Sequence, residues 1–237
     1  MRLIRASASL PGMLGASVLH IDDQVRMPGS ALSHSGFRAW ATSPDFPEKI
    51  HATYFAGEVL IEMSPESLEA HNKVKAALTI TLGNIIASED LGESWIDGAL
   101  LTNESAALST EPDFSFASWA TLESGRLSFV SKANQADEFI ELVGTPDLVV
   151  EVVSDSSVKK GLEWLRAAYA RAQIPEYWLI DARGPAIQFE ILTLQGDAYR
   201  APSFSGGWQR SFVLGRAFEL VRTVHRLRRF SYTLQTG

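Results

Sequence analysis

No cysteine occurs in the 237 residues, which excludes disulfides, thiolate-bound metals and cysteine nucleophiles and accords with a reducing compartment. Nor is there an apolar run near the ~18 residues that a membrane-spanning helix needs, an internal repeat or a low-complexity tract. The chain also lacks a positive balance. Its formal net charge of −7 argues against a protein that coats nucleic acid indiscriminately. A leader is not indicated either. Residues 1–20 carry two arginines and then small residues, but Pro11 and Gly15 break the segment and no cleavage site follows. A flexible N-terminus in a cytoplasmic protein is expected.

What is present is enough apolar material, 46 % of residues, to bury a full core. We expect residues 1–45, rich in Gly, Ser, Pro and Ala, to form a flexible extension, residues 46–200 to form the main domain, and residues 201–237 to form a C-terminal extension packed on that domain. A hairpin is expected over Thr53–Met63, turning near Ala56-Gly57. Ser64 and Pro65 suit the N-cap and first position of a helix, with Leu68, His71, Val74, Leu78, Leu82 and Ile85 on its inner stripe. Strand-like segments follow at Ser94–Thr102 and Asp113–Ala117, then a loop from Ser118 to Glu138. A second helix over about Ser156–Ala172 sets Val158, Leu162, Leu165, Tyr169 and Ala172 on one face. Glu176–Asp181 is a buried strand, and a further hairpin turns at Gly196-Asp197 before irregular structure and a last short element. This order gives a mixed α/β domain, a central sheet with a helix on either side. Near the end, five arginines between Arg216 and Arg229 stand against one acid, Glu219. Such a patch suits phosphates, or is a solvated charged face.

The chemistry concentrates in Asp147-Leu148-Val149-Val150-Glu151-Val152-Val153-Ser154. Five branched aliphatics in seven residues describe a strand buried on both faces. Glu151 in its midst must be paired, protonated or bound to a metal. Asp147 lies about 13 Å away along an extended strand and cannot share an ion with it. Strand alternation after Pro112 sets Asp113, Ser115 and Ala117 on one face. Asp113 therefore meets Glu151 above one end of the sheet if the two segments pair.

Several motifs recur in order between Glu58 and Asp181: Met63-Ser64-Pro65 followed by His71, Pro112-Asp113, the run from Pro146 to Ser154, Tyr169-Ala170-Arg171-Ala172, and Ile174 to Asp181. With them the chain resembles the Uma family of "putative restriction endonucleases", a branch of the PD-(D/E)XK nuclease superfamily. The resemblance implies a restriction-endonuclease-like α/β fold, a four-stranded mixed central sheet flanked by helices, here with added β-hairpins. It implies Asp113 and Glu151 as ligands of Mg2+ or Mn2+, where a bound water attacks a DNA phosphodiester. The superfamily's lysine, two residues after the glutamate, is Val153 here. The position from which the Uma family supplies a lysine, on the following helix, is Leu165. Lys159 and Lys160 near that helix's start are candidates to replace it, or form a solvated pair.

Two functions follow. One is a metal-dependent endonuclease, a hydrolase with DNA as its partner: Asp113 and Glu151 bind the ion, Lys159 or Lys160 assists, His71 orients a phosphate or takes a proton, and a homodimer cuts both strands. The other is a weakened nuclease-fold module that binds nucleic acid or protein without cutting, favoured by Leu165 and the acidic net charge. A third reading keeps Glu151 as a structural acid paired with Arg166 or Lys160. His71 on an apolar stripe is otherwise a core residue. Glu58 and Glu62 suit surface charge or a third carboxylate, and Asp155 suits a helix cap. Tyr177 and Trp178 suit core packing or base stacking, and Asp181 a turn with Arg183 and Gly184. No membrane partner is expected.

Overall fold

The computed structural model describes residues 3–7, 18–21, 25–47, 50–62, 67–132, 135–154, 159–201 and 207–237. The fold is mixed α/β, mostly strands with few helices. No helix among the described residues is long and apolar enough to cross a membrane. The chain divides into two compact units, one formed by Met1–Ser64, Gly98–Glu111 and Ser128–Gly144, the other by Pro65–Asp97, Pro112–Leu127 and Thr145–Gly237.

The first unit holds β1 (Leu3–Ser7), β2 (Val18–Ile21), β3 (Val25–Pro28), helix α1 (His34–Ala41), β4 (His51–Phe55), β5 (Glu58–Glu62), β7 (Leu100–Asn103), β8 (Leu108–Thr110), β10 (Leu127–Lys132) and β11 (Gln135–Gly144). Its main sheet has the order β1-β5-β4-β8-β7-β11-β10. The β4–β5 hairpin forms where expected. Ala56 and Gly57 take φ of +50° and +91°, the left-handed pair that matches a two-residue turn to the twist of its strands. Residues 25–41, whose composition marks them as extension, bury Val25, Met27, Phe37 and Trp40 in a core with Tyr54 and Ile61. The stretch expected as a loop, Ser118 to Glu138, instead carries helix α3 (Trp119–Glu123), β10 and the start of β11. Residues 135–139 of β11 are all exposed, so no apolar alternation marked the strand.

The second unit holds β6 (Gly92–Ile96), β9 (Phe114–Ser118), β12 (Leu148–Val152), β13 (Glu176–Asp181), β14 (Gln188–Gln195) and β15 (Ala198–Arg200) in a sheet of order β15-β14-β13-β12-β9-β6. β12 and β13 run parallel, joined through helix α4 (Lys159–Arg171), and the remaining pairs are antiparallel. One face of this sheet buries Phe114, Phe116, Val150 and Trp178 against Val74, Leu78 and Leu82 of helix α2 (Lys73–Ser88). The same core takes Phe218 and Leu234 from a three-stranded sheet, β16 (Gln209–Ser211), β17 (Arg216–Val224) and β18 (Phe230–Thr236), where the sequence suggested irregular structure. On the other face α4 lays Tyr169 against Tyr177, ring centres 5.3 Å apart. Gly92 opens β6 because a Cβ there would lie 2.1 Å from the Ala117 carbonyl oxygen.

Two segments depart from expectation for identifiable reasons. The strand read over Ser94–Thr102 is two, β6 and β7, broken at Asp97-Gly98 where Gly98 adopts φ +75°. The helix start read at Ser64 and Pro65 lies outside the described residues. Within them, Ser67 Oγ caps the Ala70 N–H, and a π-helical turn follows: Asn72 N–H bonds the Ser67 carbonyl and Lys73 N–H that of Leu68. The wider turn changes the phase of the stripe. Leu68 turns out to 71 % exposure, while His71, Val74, Leu78, Leu82 and Ile86 are buried.

Glu176 is the most deeply buried acid described, at 1 % exposure. It accepts hydrogen bonds from Trp178 Nε1, Ser211 Oγ, Phe212 N–H and Val213 N–H at 2.6–3.2 Å. Burial raises its carboxyl pKa and those donors oppose the rise. Glu176→Ala strands the donors and is expected to cost about 3 kcal/mol, read as a lower urea midpoint with an unchanged m-value.

Candidate functional site

The β9–β12 ladder decides how the two acids stand. Leu148 pairs with Phe116, Val149 with Ser115 and Val150 with Phe114. One further step of this antiparallel register sets Glu151 opposite Asp113, and opposed residues share a face. Asp113 lies just before β9 and finishes the ladder with its side chain: Oδ2 accepts the Val152 N–H at 2.6 Å. On the opposite face of the paired stretch Leu148, Val150 and Val152 of β12 pack with Phe114 and Phe116 of β9 and hold the two strands together beneath the acids.

Helix α2 brings a cation to the same carboxylate. Lys75, 7 % exposed, places Nζ 3.2 Å from Asp113 Oδ1 and 2.6 Å from Asp97 Oδ1. His71, one turn earlier and also buried, holds Nε2 3.7 Å from Asp113 Oδ2. Burial raises the Asp113 pKa. The charges of Lys75 and His71 and the Val152 N–H oppose that rise, in that order. Glu151 is half-buried, and Tyr169 OH donates to its Oε1 at 2.5 Å. Tyr177 lies fully buried below, and its hydroxyl finds no hydrogen-bond partner among the described residues. Burial first, then the charge of Glu151, drives the Tyr177 pKa well above its ordinary value. Among the described residues no group of three or more His, Asp or Glu side chains converges on one metal position.

A family model described as Uma2, "Putative restriction endonuclease", matches residues 36–224. The chain belongs to the Uma2 family. A search of curated proteins finds none that matches it. Among solved structures, it is similar to "a putative nuclease belonging to DUF820" from Anabaena variabilis ATCC 29413, at 15 % identity and a TM-score of 0.42, covering 60 % of this chain and 76 % of that one.

In this Uma2 chain the residues expected at a site are distributed as follows. Asp113, Glu151 and His71 belong to one unit and gather around the β9–β12 ladder. Lys159 and Lys160 begin α4, and their side chains lie outside the described residues, as does Asp155. Leu165 is half-buried. Arg166 donates to the Tyr199 carbonyl at 3.0 Å. Asp147 accepts from Ser118 N–H and Thr121 Oγ1 and pairs with Arg126. Tyr177 and Trp178 are fully buried and pack the core. Asp181 accepts from Arg183 N–H at 3.0 Å, closing the expected turn. Glu58 and Glu62 lie on β5 of the other unit.

Sequence reasoning missed Lys75, Asp97 and the hydroxyl of Tyr169. Lys75 had a signal: it stands four residues after His71, hence one helical turn further on the same side. Its lysine identity hid it from a search for apolar stripe positions.

A raised carboxyl pKa means that the folded protein keeps a proton which the unfolded chain has released. Stability then falls as pH rises from the unfolded value to the folded one. In Lys75→Met the Asp113 carboxyl is expected to titrate at still higher pH and to widen that window. Side-chain carboxyl carbon NMR titration reads this directly. An Asp113 resonance unmoved by the substitution would show that the ammonium does not govern it.

Proposed function

We propose that the protein is a metal-dependent endonuclease hydrolysing phosphodiester bonds in DNA, built on a restriction-endonuclease-like fold in the second unit. The observation that carries this reading is the opposition of Asp113 and Glu151 across adjacent strands, with a buried ammonium beside them. Two hard carboxylates without a thiolate suit Mg2+ or Mn2+, which take one or two protein carboxylates and complete their shell with water and substrate phosphate. Asp113 and Glu151 would hold the ion. When bound it lowers the pKa of a water and neutralises charge on the phosphate oxygens.

The protein's own groups do the positioning. Val152 N–H fixes Asp113, and Tyr169 OH fixes Glu151, so neither acid needs to reorganise when substrate arrives. Lys75 holds a positive charge where negative charge grows on the phosphate. His71, within reach of Asp113, orients that carboxylate and the phosphate next to it. Lys159 and Lys160, at the start of α4, remain further candidates for the supporting cation. A two-fold pair of subunits would bring one such site to each strand of a duplex. The alternative, a module that binds without cutting, draws on Leu165. Lys75 supplies from α2 the ammonium that Leu165 does not, and so favours cutting.

Purified protein with manganese is expected to nick supercoiled plasmid. Asp113→Ala and Glu151→Gln should each slow cleavage at least about a hundredfold, and Lys75→Met by about 10²–10³, with thermal melts confirming folded protein. Cleavage at the parent rate by Glu151→Gln would end the proposal. For His71→Ala a loss of about 10–100-fold is expected in the same assay, and full activity would return His71 to the core.

A further inference from the structure

The hairpin between β17 and β18 ends in Val224-His225-Arg226-Leu227-Arg228-Arg229-Phe230. Every residue from Thr223 to Phe230 is exposed, Leu227 at 91 % and Val224 at 72 %. Leu227 and Arg228 both take the left-handed backbone, φ +61° and +56°, which a branched or long side chain adopts against its preference. Glycine or asparagine would make this turn with less strain. The tip instead presents a leucine between two arginines.

The stem is tied down. Arg222 donates to the carbonyls of Ala182 and Gly184 and lies 4.7 Å over the Phe230 ring. Arg229 bonds Glu69 at 2.9 Å, and Glu69 also accepts from Lys73 Nζ and Phe230 N–H. These cations, Lys73 foremost, hold the Glu69 carboxyl at about 2. Glu69 sits in the π-helical turn two residues before His71, so the hairpin is anchored to the segment that leads into the candidate site. Arg226 and Arg228 differ from the stem arginines. Their guanidinium groups have no partner among the described residues.

We propose that this tip is a DNA-binding wedge, with Arg226 and Arg228 reaching into the minor groove and Leu227 entering a base step. A purely basic tip would suit any polyanion, and a purely apolar one a groove in a protein. Unpaired arginines flanking one exposed apolar side chain match the minor groove. Its negative potential draws guanidinium groups, and apolar wedges unstack base steps there. The inference rests on the reading of DNA as substrate and adds how the duplex is gripped away from the reacting atoms. It also offers a way for a chain of net charge −7 to approach a polyanion: two arginines without a partner among the described residues stand together on one exposed turn.

The test titrates the full-length protein, in EDTA, against a labelled 30-base-pair duplex across a salt series. Arg226→Ala/Arg228→Ala should weaken binding about tenfold or more and flatten the slope of log K against log salt by about two. Leu227→Ala should keep the parent slope, weaken binding several-fold, and abolish the fluorescence rise of 2-aminopurine placed along the duplex. All three side chains are exposed, so melts should match the parent. Parent-like affinity and slope in the double variant would overturn the wedge, as would a wild type that binds no duplex. So would a double variant that loses only binding to phosphatidylserine vesicles, which would make the tip a membrane contact. Cleavage by wild type with tip-independent binding sinks the wedge alone. Tip-dependent binding with no manganese-dependent cleavage sinks the nuclease reading alone.

Discussion

One carboxylate, that of Asp113, joins a strand, a neighbouring strand and a helix. Its Oδ2 stands where the β9–β12 ladder would otherwise end, taking the Val152 N–H, and its Oδ1 faces the ammonium of Lys75 on α2. Remove the carboxylate and the ladder loses its last acceptor while a nearly buried lysine loses one of the acids beside it. The interaction is affordable because each oxygen has a donor and the cation is shared with Asp97, which remains in contact with water. Fold and candidate chemistry are thus fastened at the same atoms, and the direction of the Asp113 pKa records the tension between burial and its neighbours.

Two glutamates of the six-stranded sheet, Glu151 and Glu176, show how similar sequence contexts divide by environment. Both lie in apolar strands of the same sheet. Glu176 is enclosed and surrounded by four donors, all provided by residues 178 and 211–213, and it ties the C-terminal sheet to β13. Glu151, one strand over, keeps access to water and accepts from Tyr169 OH. A carboxylate that water reaches can take a ligand, whereas an enclosed one with its lone pairs filled is structural. Sequence reasoning singled out Glu151 and read Glu176 only as the start of another buried strand. The apolar run of β12 made that natural, and three of the four donors that enclose Glu176 come from a segment 35 residues onward.

What was legible beforehand was what short-range pattern encodes. The β4–β5 hairpin, the α2 stripe from Val74 to Leu82, the buried β12 and β13, and the turn at Gly196-Asp197 each follow from period or turn chemistry within a few residues. The motif order also brought Asp113, Glu151 and His71 together in advance. What was not legible depends on distant partners. The exposed first half of β11 carries no apolar alternation, and the tail from Gln209 becomes a sheet only because α2 and β13 present a surface for Phe218 and Leu234. The supporting lysine was sought near Glu151 in sequence, on α4. Spatially, the ammonium described beside Asp113 comes from α2, because the helix that covers one face of the sheet also reaches past its end.

The π-helical turn at Leu68–Asn72 has a consequence for comparing relatives. It contains one residue more than an α-helical turn would, so deleting a residue there would let the helix run on unbroken while swinging everything before it by roughly 100° relative to α2. Glu69 would then leave its present bearing and its bonds to Arg229 and Phe230, though Lys75, the sheet and the hairpin packed on α2 stayed put. Relatives aligned without a gap across these five positions could match the helix and mismatch its entrance by a single step. In this protein, the hold of Glu69 on the hairpin is written as the presence of one amino acid.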